Sequence, residues 1–196
     1  MGNAYEGLIL ECLSRIKALE EKVEVLENQL DLETKGPAVN NSDKNVKITR
    51  STARQYVIDK LNEENKNLIA VKGNQSEGSG IVIKSNDDAT KKLIAKFYYS
   101  KSHLDHISSW HTVGADDINN DNIDLHIFAV SYNEKYFTFF FTKDELRKYV
   151  SDKRSDNSNL YHFYFQKING KYVEIRDEEK EVSKFLERWT LVSNII

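Results

Sequence analysis

The stretch IDLHIFAVSYNEKYFTFFFT, residues 123–142, carries the strongest structural signal in the chain. Its two halves are rich in β-branched and aromatic side chains, which favour strands. Between the halves, Asn133-Glu134 has the composition of a tight turn. The aromatic run from Phe137 to Phe141 is apolar on both faces, as is typical of a central strand. The stretch therefore predicts two neighbouring strands in the middle of a sheet.

Further elements are predicted on both sides of this stretch. Three strand-like runs precede it, separated by turns rich in glycine or in Asn and Asp, at 67–72, 80–84 and 93–101. An aromatic hairpin around Asn169-Gly170 follows it. Helices are predicted over 50–64 with Thr49 as N-cap, from a capping box at Thr142 to about Val150, and over 182–191. The expected fold class is α+β, with a mixed, mostly antiparallel sheet flanked by helices.

The composition excludes several classes of protein. The 196 residues carry a formal net charge of −3, with 39% hydrophobic and 30% charged residues, so the chain is neither disordered nor strongly basic. A single cysteine excludes an internal disulfide framework and a cysteine-based zinc site. No apolar run approaches the ~20 residues of a membrane-spanning helix, and the early acid Glu6 is unlike a secretory signal. A cytoplasmic protein with no membrane partner is therefore expected.

The first 35 residues repeat apolar side chains at heptad spacing. Positions a and d are filled, in chain order, by Tyr5, Ile9, Cys12, Ile16, Leu19, Val23, Leu26 and Leu30. β-Branched residues at three of the four a positions favour a parallel two-stranded coil. In that arrangement Arg15 and Lys22 face Glu20 and Glu27 of the second helix. The segment therefore predicts a coiled-coil helix that makes the protein a homodimer.

A second interpretation of this segment stays open. Additional apolar residues widen its apolar face, at Leu8, Leu13, Val25 and Leu32. These favour packing on the surface of its own domain, or a higher oligomer. Gly36-Pro37 ends the helix, and the polar residues that follow form a linker. The predicted organisation is a coil at 1–35, a linker at 36–47 and a globular domain at 48–196.

The order of elements over about 48–150 is one helix, three meandering strands, an irregular segment with Trp110, and two strong strands. This order resembles the restriction-endonuclease-like superfamily, whose active members carry a PD-(D/E)xK motif. The resemblance implies that Gly80, Ile94 and Lys96 stand at the positions of the two acids and the lysine. Glycine and isoleucine have no side-chain oxygen with which to hold Mg²⁺. The resemblance therefore implies a non-catalytic member that needs no cofactor.

Two alternatives to this interpretation stay open. The first is an active nuclease whose acidic ligands are displaced, using Glu77 or Asp88 together with Asp124 and Lys96. Only this alternative requires Mg²⁺. The second is a structural or adaptor protein that binds a protein partner and no nucleic acid.

Basic and aromatic residues are interleaved over the second and third predicted strands and the segment after them. Lysines contact phosphates and aromatic rings stack on bases, so this pattern favours nucleic-acid binding. The candidate set is Lys84, Lys91, Lys92, Lys96, Tyr98, Lys101 and Trp110. The alternative is an ordinary surface, with the lysines in solvent and the aromatic side chains in the core. The leading hypothesis is a nuclease-like domain that binds nucleic acid or a protein in prokaryotic or phage DNA processing or defence.

A group of histidines provides a candidate metal site. His103, Asp105 and His106 are close enough in sequence to share one turn and to bind a transition metal. Their spacing matches no established zinc pattern. The alternative is that these histidines lie on the surface and bind no metal.

Overall fold

The structure is a computed structural model, and it describes Leu19, Lys22, Glu77 and residues 48–74, 80–102 and 104–196. The chain divides into two compact units, Met1–Val46 and Lys47–Ile196. In the first unit Leu19 and Lys22 are helical, and the Leu19 side chain is 61% exposed. The other positions of the predicted coil, and the predicted linker at 36–47, lie outside the described residues.

The second unit is α+β, as the sequence predicts. Its described elements, in chain order, are α1 (Arg50–Glu64), β1 (Leu68–Lys72), β2 (Ile81–Ser85), β3 (Lys92–Lys101), β4 (His111–Gly114), α2 (Ala115–Asn119), β5 (Leu125–Tyr132), β6 (Lys135–Thr142), α3 (Lys143–Val150), β7 (Leu160–Phe163), β8 (Phe165–Ile168), β9 (Lys171–Glu174), β10 (Lys180–Glu181), a 3-10 helix (Ser183–Phe185) and α4 (Leu191–Ile195). None of the described helices has the length and apolar character needed to cross a bilayer.

A five-stranded mixed sheet forms the centre of the unit, in the order β1-β2-β3-β5-β6. Strands β1, β2 and β3 form an antiparallel meander, and β5 joins β3 in parallel. Strand β6 returns beside β5 through a turn in which Asn133 and Glu134 have φ values of 47° and 60°. Left-handed backbone at both central residues is the geometry of a type I′ turn, which matches the twist of paired strands. The turn predicted from the composition of these two residues is confirmed.

Helix α1 covers one face of the sheet. It begins after Thr49, whose side chain accepts a hydrogen bond from the Thr52 amide while the Thr52 side chain accepts one from the Thr49 amide. This reciprocal cap satisfies two amides that the first helical turn leaves unpaired. The buried side of the helix packs on alternate residues of the strands, in a cluster that includes Val57, Leu61, Ile83, Phe97 and Ile127. The predicted helix over 50–64 is confirmed.

An aromatic layer covers part of the opposite face. Phe128 lies at its centre, with ring centroids 4.8 to 5.6 Å from those of Tyr98, His111, Phe141, Phe163 and Phe165. This layer lies over β3, β5 and β6. The same face of β1 is open, because Ile69 and Val71 are 49% and 39% exposed. The sheet therefore has one face fully covered and one face covered only in part.

A buried ion pair joins the loop after α3 to strand β9. Lys153 Nζ lies 2.8 Å from Glu174 Oε2 and 2.9 Å from Asp177 Oδ2. The side chains of Lys153 and Glu174 are 2% and 1% exposed. Separating the two segments would leave a buried charge without its partner, which is strongly destabilising. The ion pair therefore holds the two segments together.

Two predicted features of the sheet and its flank are wrong. Strand β6 is buried on both faces, yet it lies at the end of the sheet and not at its centre. Its outer edge is covered by the C-terminal segment, where Phe139 forms a bridge with Leu186 and the Glu187 amide donates to the Thr138 carbonyl over 2.7 Å. Consequently the predicted helix over 182–191 is absent, and only one 3-10 turn, Ser183–Phe185, precedes this extended contact.

Of two further predicted segments, one is confirmed and the other is wrong. The Asn169-Gly170 hairpin is confirmed, because β8 and β9 pair across it and both turn residues have positive φ. The segment after Trp110 was predicted to be irregular, but it contains β4, which pairs with β7. Four residues of strand are too short to give a periodic signal in a sequence.

Candidate functional site

The open part of the sheet is where the nuclease resemblance places its site. Along β3, Lys92, Ile94, Lys96 and Tyr98 lie on the face opposite α1, because successive residues of a strand alternate between faces. Near Lys92 and Ile94 this face forms a shallow depression of about 490 Å³. The depression is lined by Glu77, Lys92, Ile94, Asp121, Asn122 and Asp124.

Gly80 has no room for a side chain. A Cβ atom built on this residue lies 2.0 Å from the carbonyl oxygen of Ala95, which belongs to the backbone of the neighbouring strand. Such a contact requires the backbone to shift, since the obstacle is not a flexible side chain. The position that the resemblance assigns to the first acid therefore excludes aspartate on steric grounds, in addition to lacking an oxygen ligand.

The acids considered as displaced metal ligands are engaged elsewhere. Asp124 Oδ2 accepts a hydrogen bond of 2.8 Å from the Ile94 amide. Glu77 Oε2 accepts one of 3.1 Å from the Asn74 amide. Asp88 lies in the β2–β3 turn, where the Thr90 hydroxyl and amide donate to it over 2.6 and 2.9 Å and lower its pKa. Glu77 and Asp124 line the same depression, whereas Asp88 lies apart from it. The described residues contain no group of three side chains able to hold a metal ion.

Lys96 is instead paired with an acid that the sequence analysis did not select. Its Nζ lies 2.9 Å from Oδ1 of Asp117, a residue of helix α2. The two side chains are 24% and 28% exposed. Asp117 Oδ2 also lies 3.4 Å from the Tyr98 hydroxyl. Lys96 therefore contacts a carboxylate, but that carboxylate forms a pair with the lysine and does not belong to an acidic cluster.

The same network extends to His126, which is fully buried on β5. The Tyr98 hydroxyl lies 3.3 Å from His126 Nδ1. Since an ionised Asp117 only accepts, the hydroxyl donates to Asp117 and accepts from Nδ1–H. His126 Nε2 then has no hydrogen-bond partner among the described residues. Burial raises the pKa of Tyr98 well above its ordinary value, and the Asp117 carboxylate raises it further.

His126 is neutral under ordinary conditions. Burial lowers the pKa of its imidazole from 6.5 to about 4, against the opposing effect of Asp117. Lys96 and Arg147 lower the pKa further by charge repulsion. The buried end of the network thus holds no charge.

The candidate nucleic-acid set is divided by the structure. Lys84 pairs across the strands with Lys92, and Lys91 precedes β3, so these three exposed lysines lie together at the β2–β3 turn. Lys101 is at the other end of the ten-residue strand β3. None of Lys84, Lys91 and Lys92 has an acid within ion-pair distance in the described part of the chain. The first three lysines form one surface, which we call the β2–β3 lysine cluster.

The two aromatic members of the candidate set belong to packed layers. Tyr98 is 8% exposed and stacks on Phe128 with ring centroids 4.8 Å apart. Trp110 packs edge-on against His162 and Tyr164. No Phe, Tyr or Trp side chain in the described ranges is among the exposed large hydrophobic residues. An open platform for stacking bases is therefore missing from this part of the protein.

The candidate histidine site is only partly described. His103 lies outside the described residues. His106 Nδ1 lies 3.1 Å from Asp105 Oδ1, with both side chains well exposed. This pair belongs to no metal-binding group among the described residues.

A second polar cluster joins Trp110 to residues that the sequence did not single out. His162 Nε2 lies 3.0 Å from Asp156 Oδ2, while Nδ1 accepts from Trp110 Nε1 over 3.3 Å and lies 3.2 Å from the Thr112 hydroxyl. Thr112 and His162 are directly opposite on β4 and β7. The cluster fastens this two-stranded ribbon to the loop before β7. No sequence signal marks it, because its members are common residue types separated by up to 52 positions.

Comparisons with known proteins add no family to these observations. A scan against known protein families and a search of curated proteins both found no match to this chain.

The contact at Gly80 predicts a large effect of the smallest substitution. We expect Gly80→Ala to lower the free energy of unfolding by roughly 2 kcal/mol or more, because the new methyl group meets the Ala95 carbonyl. Gly73→Ala is the matched control in the same loop, where a Cβ makes only ordinary contacts of 3.4 Å. Urea unfolding measures both. If the two variants have equal free energies of unfolding, position 80 accepts a side chain, and the steric argument against an acid there fails.

The lowered pKa of His126 predicts acid sensitivity. Between pH 6.5 and about 4 the unfolded chain binds a proton that the folded protein excludes. Stability is therefore fully present above pH 6.5 and declines as the pH falls, by roughly 3 kcal/mol at pH 4 from this group. We expect His126→Phe to flatten the pH dependence of the free energy of unfolding relative to wild type. Parallel curves for wild type and His126→Phe would contradict the assignment.

Proposed function

We propose that the Lys47–Ile196 unit is a nuclease-like domain without a hydrolytic centre, which binds nucleic acid in prokaryotic or phage DNA processing or defence. The biological setting comes from the resemblance alone. The observation that carries the proposal is the state of the two acid positions. A Cβ atom at Gly80 would meet the Ala95 backbone and Ile94 presents an aliphatic side chain, so neither of these two positions offers a metal-binding oxygen.

The topology of the sheet supports the resemblance. A helix is followed by an antiparallel meander, β1 to β3, and the chain then crosses over to add β5 parallel to β3. This is the order of elements on which the resemblance rests. Gly80 immediately precedes β2, and Ile94 lies on the adjacent strand β3, where it lines the depression.

The β2–β3 lysine cluster supports phosphate binding. Beside it lies a shallow groove of about 720 Å³ whose lining includes Lys84, Lys92, Ile69 and Val71. Nearby acids are largely occupied: Asp121 is paired with Arg147 at 3.0 Å, which lowers its pKa, and Asp124 accepts from an amide. The lysines are thus left to attract an external anion.

The type of ligand follows from the missing stacking platform. Proteins that hold single strands commonly stack bases on exposed aromatic rings. Here Tyr98 and Trp110 are packed into the domain, and the exposed cationic side chains of the cluster are lysines. Contact with phosphates alone needs no unpaired bases, and duplex DNA carries one phosphate charge per about 1.7 Å of its axis. The proposal is therefore binding to the backbone of duplex DNA.

We also propose that the protein is a homodimer through a coil at 1–35. The heptad pattern carries this proposal, together with the 61% exposed Leu19 side chain at a d position. A dimer presents two lysine clusters to one duplex, which raises apparent affinity by multivalency without a new contact.

The binding proposal predicts salt-dependent affinity without cleavage. We expect wild-type protein to bind a duplex, and the double variant Lys84→Glu/Lys92→Glu to lose at least about tenfold in affinity and to reduce the log–log salt slope by about 2. Fluorescence anisotropy at several salt concentrations measures this. The control is Lys135→Glu/Lys148→Glu, which reverses two exposed lysines elsewhere on the domain.

Two results would overturn the binding proposal. Cleavage of DNA with Mg²⁺ or Mn²⁺ that is lost in Glu77→Ala and Lys96→Ala would establish the active-nuclease alternative. Undetectable binding at low salt, with no effect of charge reversal, would leave the structural or adaptor alternative, in which the partner is a protein.

The dimer proposal predicts a change in mass. We expect removal of residues 1–35 to halve the mass measured by light scattering, because the apolar seam that joins two chains is lost. Leu19→Glu in the full chain places a charge in the seam and is expected to act in the same direction. An unchanged mass in both variants would show that the heptad pattern does not hold chains together.

A further inference from the structure

Lys96 belongs to the same face as the β2–β3 lysine cluster but is not free to act with it. It follows Lys92 by four residues on β3, and at a rise of about 3.3 Å per residue their Cα atoms are roughly 13 Å apart along one face. The Lys92 side chain has no ion-pair partner among the described residues, while Lys96 Nζ is 2.9 Å from Asp117 Oδ1. Lys96 is therefore already paired with an anionic side chain, whereas Lys92 is not.

Asp117 is held in place by packed structure. It lies in α2, whose Ile118 is 3% exposed and whose Ile118 carbonyl accepts from Arg147 Nε over 3.0 Å. Its second oxygen lies beside the buried Tyr98 hydroxyl at 3.4 Å. The carboxylate therefore has little freedom to move away from Lys96 when another anion approaches.

We infer that Asp117 acts as a built-in competitor for phosphate at Lys96, so that the proposed duplex-binding face operates below its full cationic strength. This inference rests on the proposed function and concerns the regulation of that site. A carboxylate and a phosphate oxygen compete for the same ammonium group. Because both side chains are about one-quarter exposed, the existing pair is accessible to solvent and to a ligand.

The neighbouring Asp116 allows the effect of pairing to be separated from the effect of charge. Asp116 is exposed on the same helix and has no ion pair in the described part of the chain. Asp116→Asn and Asp117→Asn change the net charge equally. Only Asp117→Asn releases Lys96. The amide oxygen of the substituted side chain still accepts a hydrogen bond from the Tyr98 hydroxyl.

The experiment measures duplex DNA binding by anisotropy over a range of salt concentrations for the full chain. We expect Asp117→Asn to bind roughly three- to tenfold more tightly than wild type and to steepen the salt slope by about 0.9, the value of one added phosphate contact. Asp116→Asn is expected to change affinity less than about twofold, with no change of slope. The double variant Asp117→Asn/Lys96→Gln is expected to return to wild-type binding.

The outcomes separate this inference from the function on which it rests. If neither wild type nor Asp117→Asn binds DNA, the proposed function fails and the inference with it. If wild type binds but Asp117→Asn matches it or matches Asp116→Asn, the inference alone is overturned. A gain that persists in the double variant overturns it as well, since Lys96 is then not the contact.

A second variant keeps the test independent of how Asp117→Asn folds. Lys96→Gln alone is expected to leave wild-type binding and its salt slope unchanged, because this lysine is occupied in the unbound protein. Lys92→Gln, its unpaired neighbour on the same face, is expected to weaken binding and to reduce the slope by about 1. Equal losses in the two variants would overturn the inference.

Discussion

Enclosure of strand β5 is the constraint on which the rest of the unit depends. Seven of its eight residues are buried, so it needs a paired strand at each edge and a packed layer on each face. Strands β3 and β6 occupy the edges, α1 packs on one face and the aromatic layer around Phe128 packs on the other. Its polar residues are also paired: Ser131 lies 2.8 Å from the Tyr99 hydroxyl, and His126 joins the Tyr98 network.

The parallel pairing of β3 and β5 determines what lies over the site. A parallel neighbour requires the chain to cross back over the sheet before the second strand begins. That crossover contains β4 and α2, and it brings Asp117 to the edge of the aromatic layer beside Lys96. The layer does not extend over β1, whose Ile69 and Val71 are exposed on this face. The polar network and the lysine cluster therefore lie at the boundary between covered and open sheet.

Backbone contacts constrain the residues at this boundary. Gly80 is closed to substitution by the Ala95 carbonyl, and Asp124, the acid nearest to Ile94, is committed to that residue's amide. A side chain at position 80 would require the backbone that leads into β2 to move away from β3.

Local patterns in the sequence were sufficient for α1, the Asn133-Glu134 and Asn169-Gly170 turns, and the capping box at Thr142. Each is decided by residues within a few positions of one another, and the α+β class follows from their order. The edge position of β6, the extended segment that replaces the predicted closing helix, and the burial of Tyr98 were decided only by tertiary structure. So was the pairing of Lys96 with Asp117, 21 residues away, because the crossover brings together groups whose proximity no sequence spacing encodes.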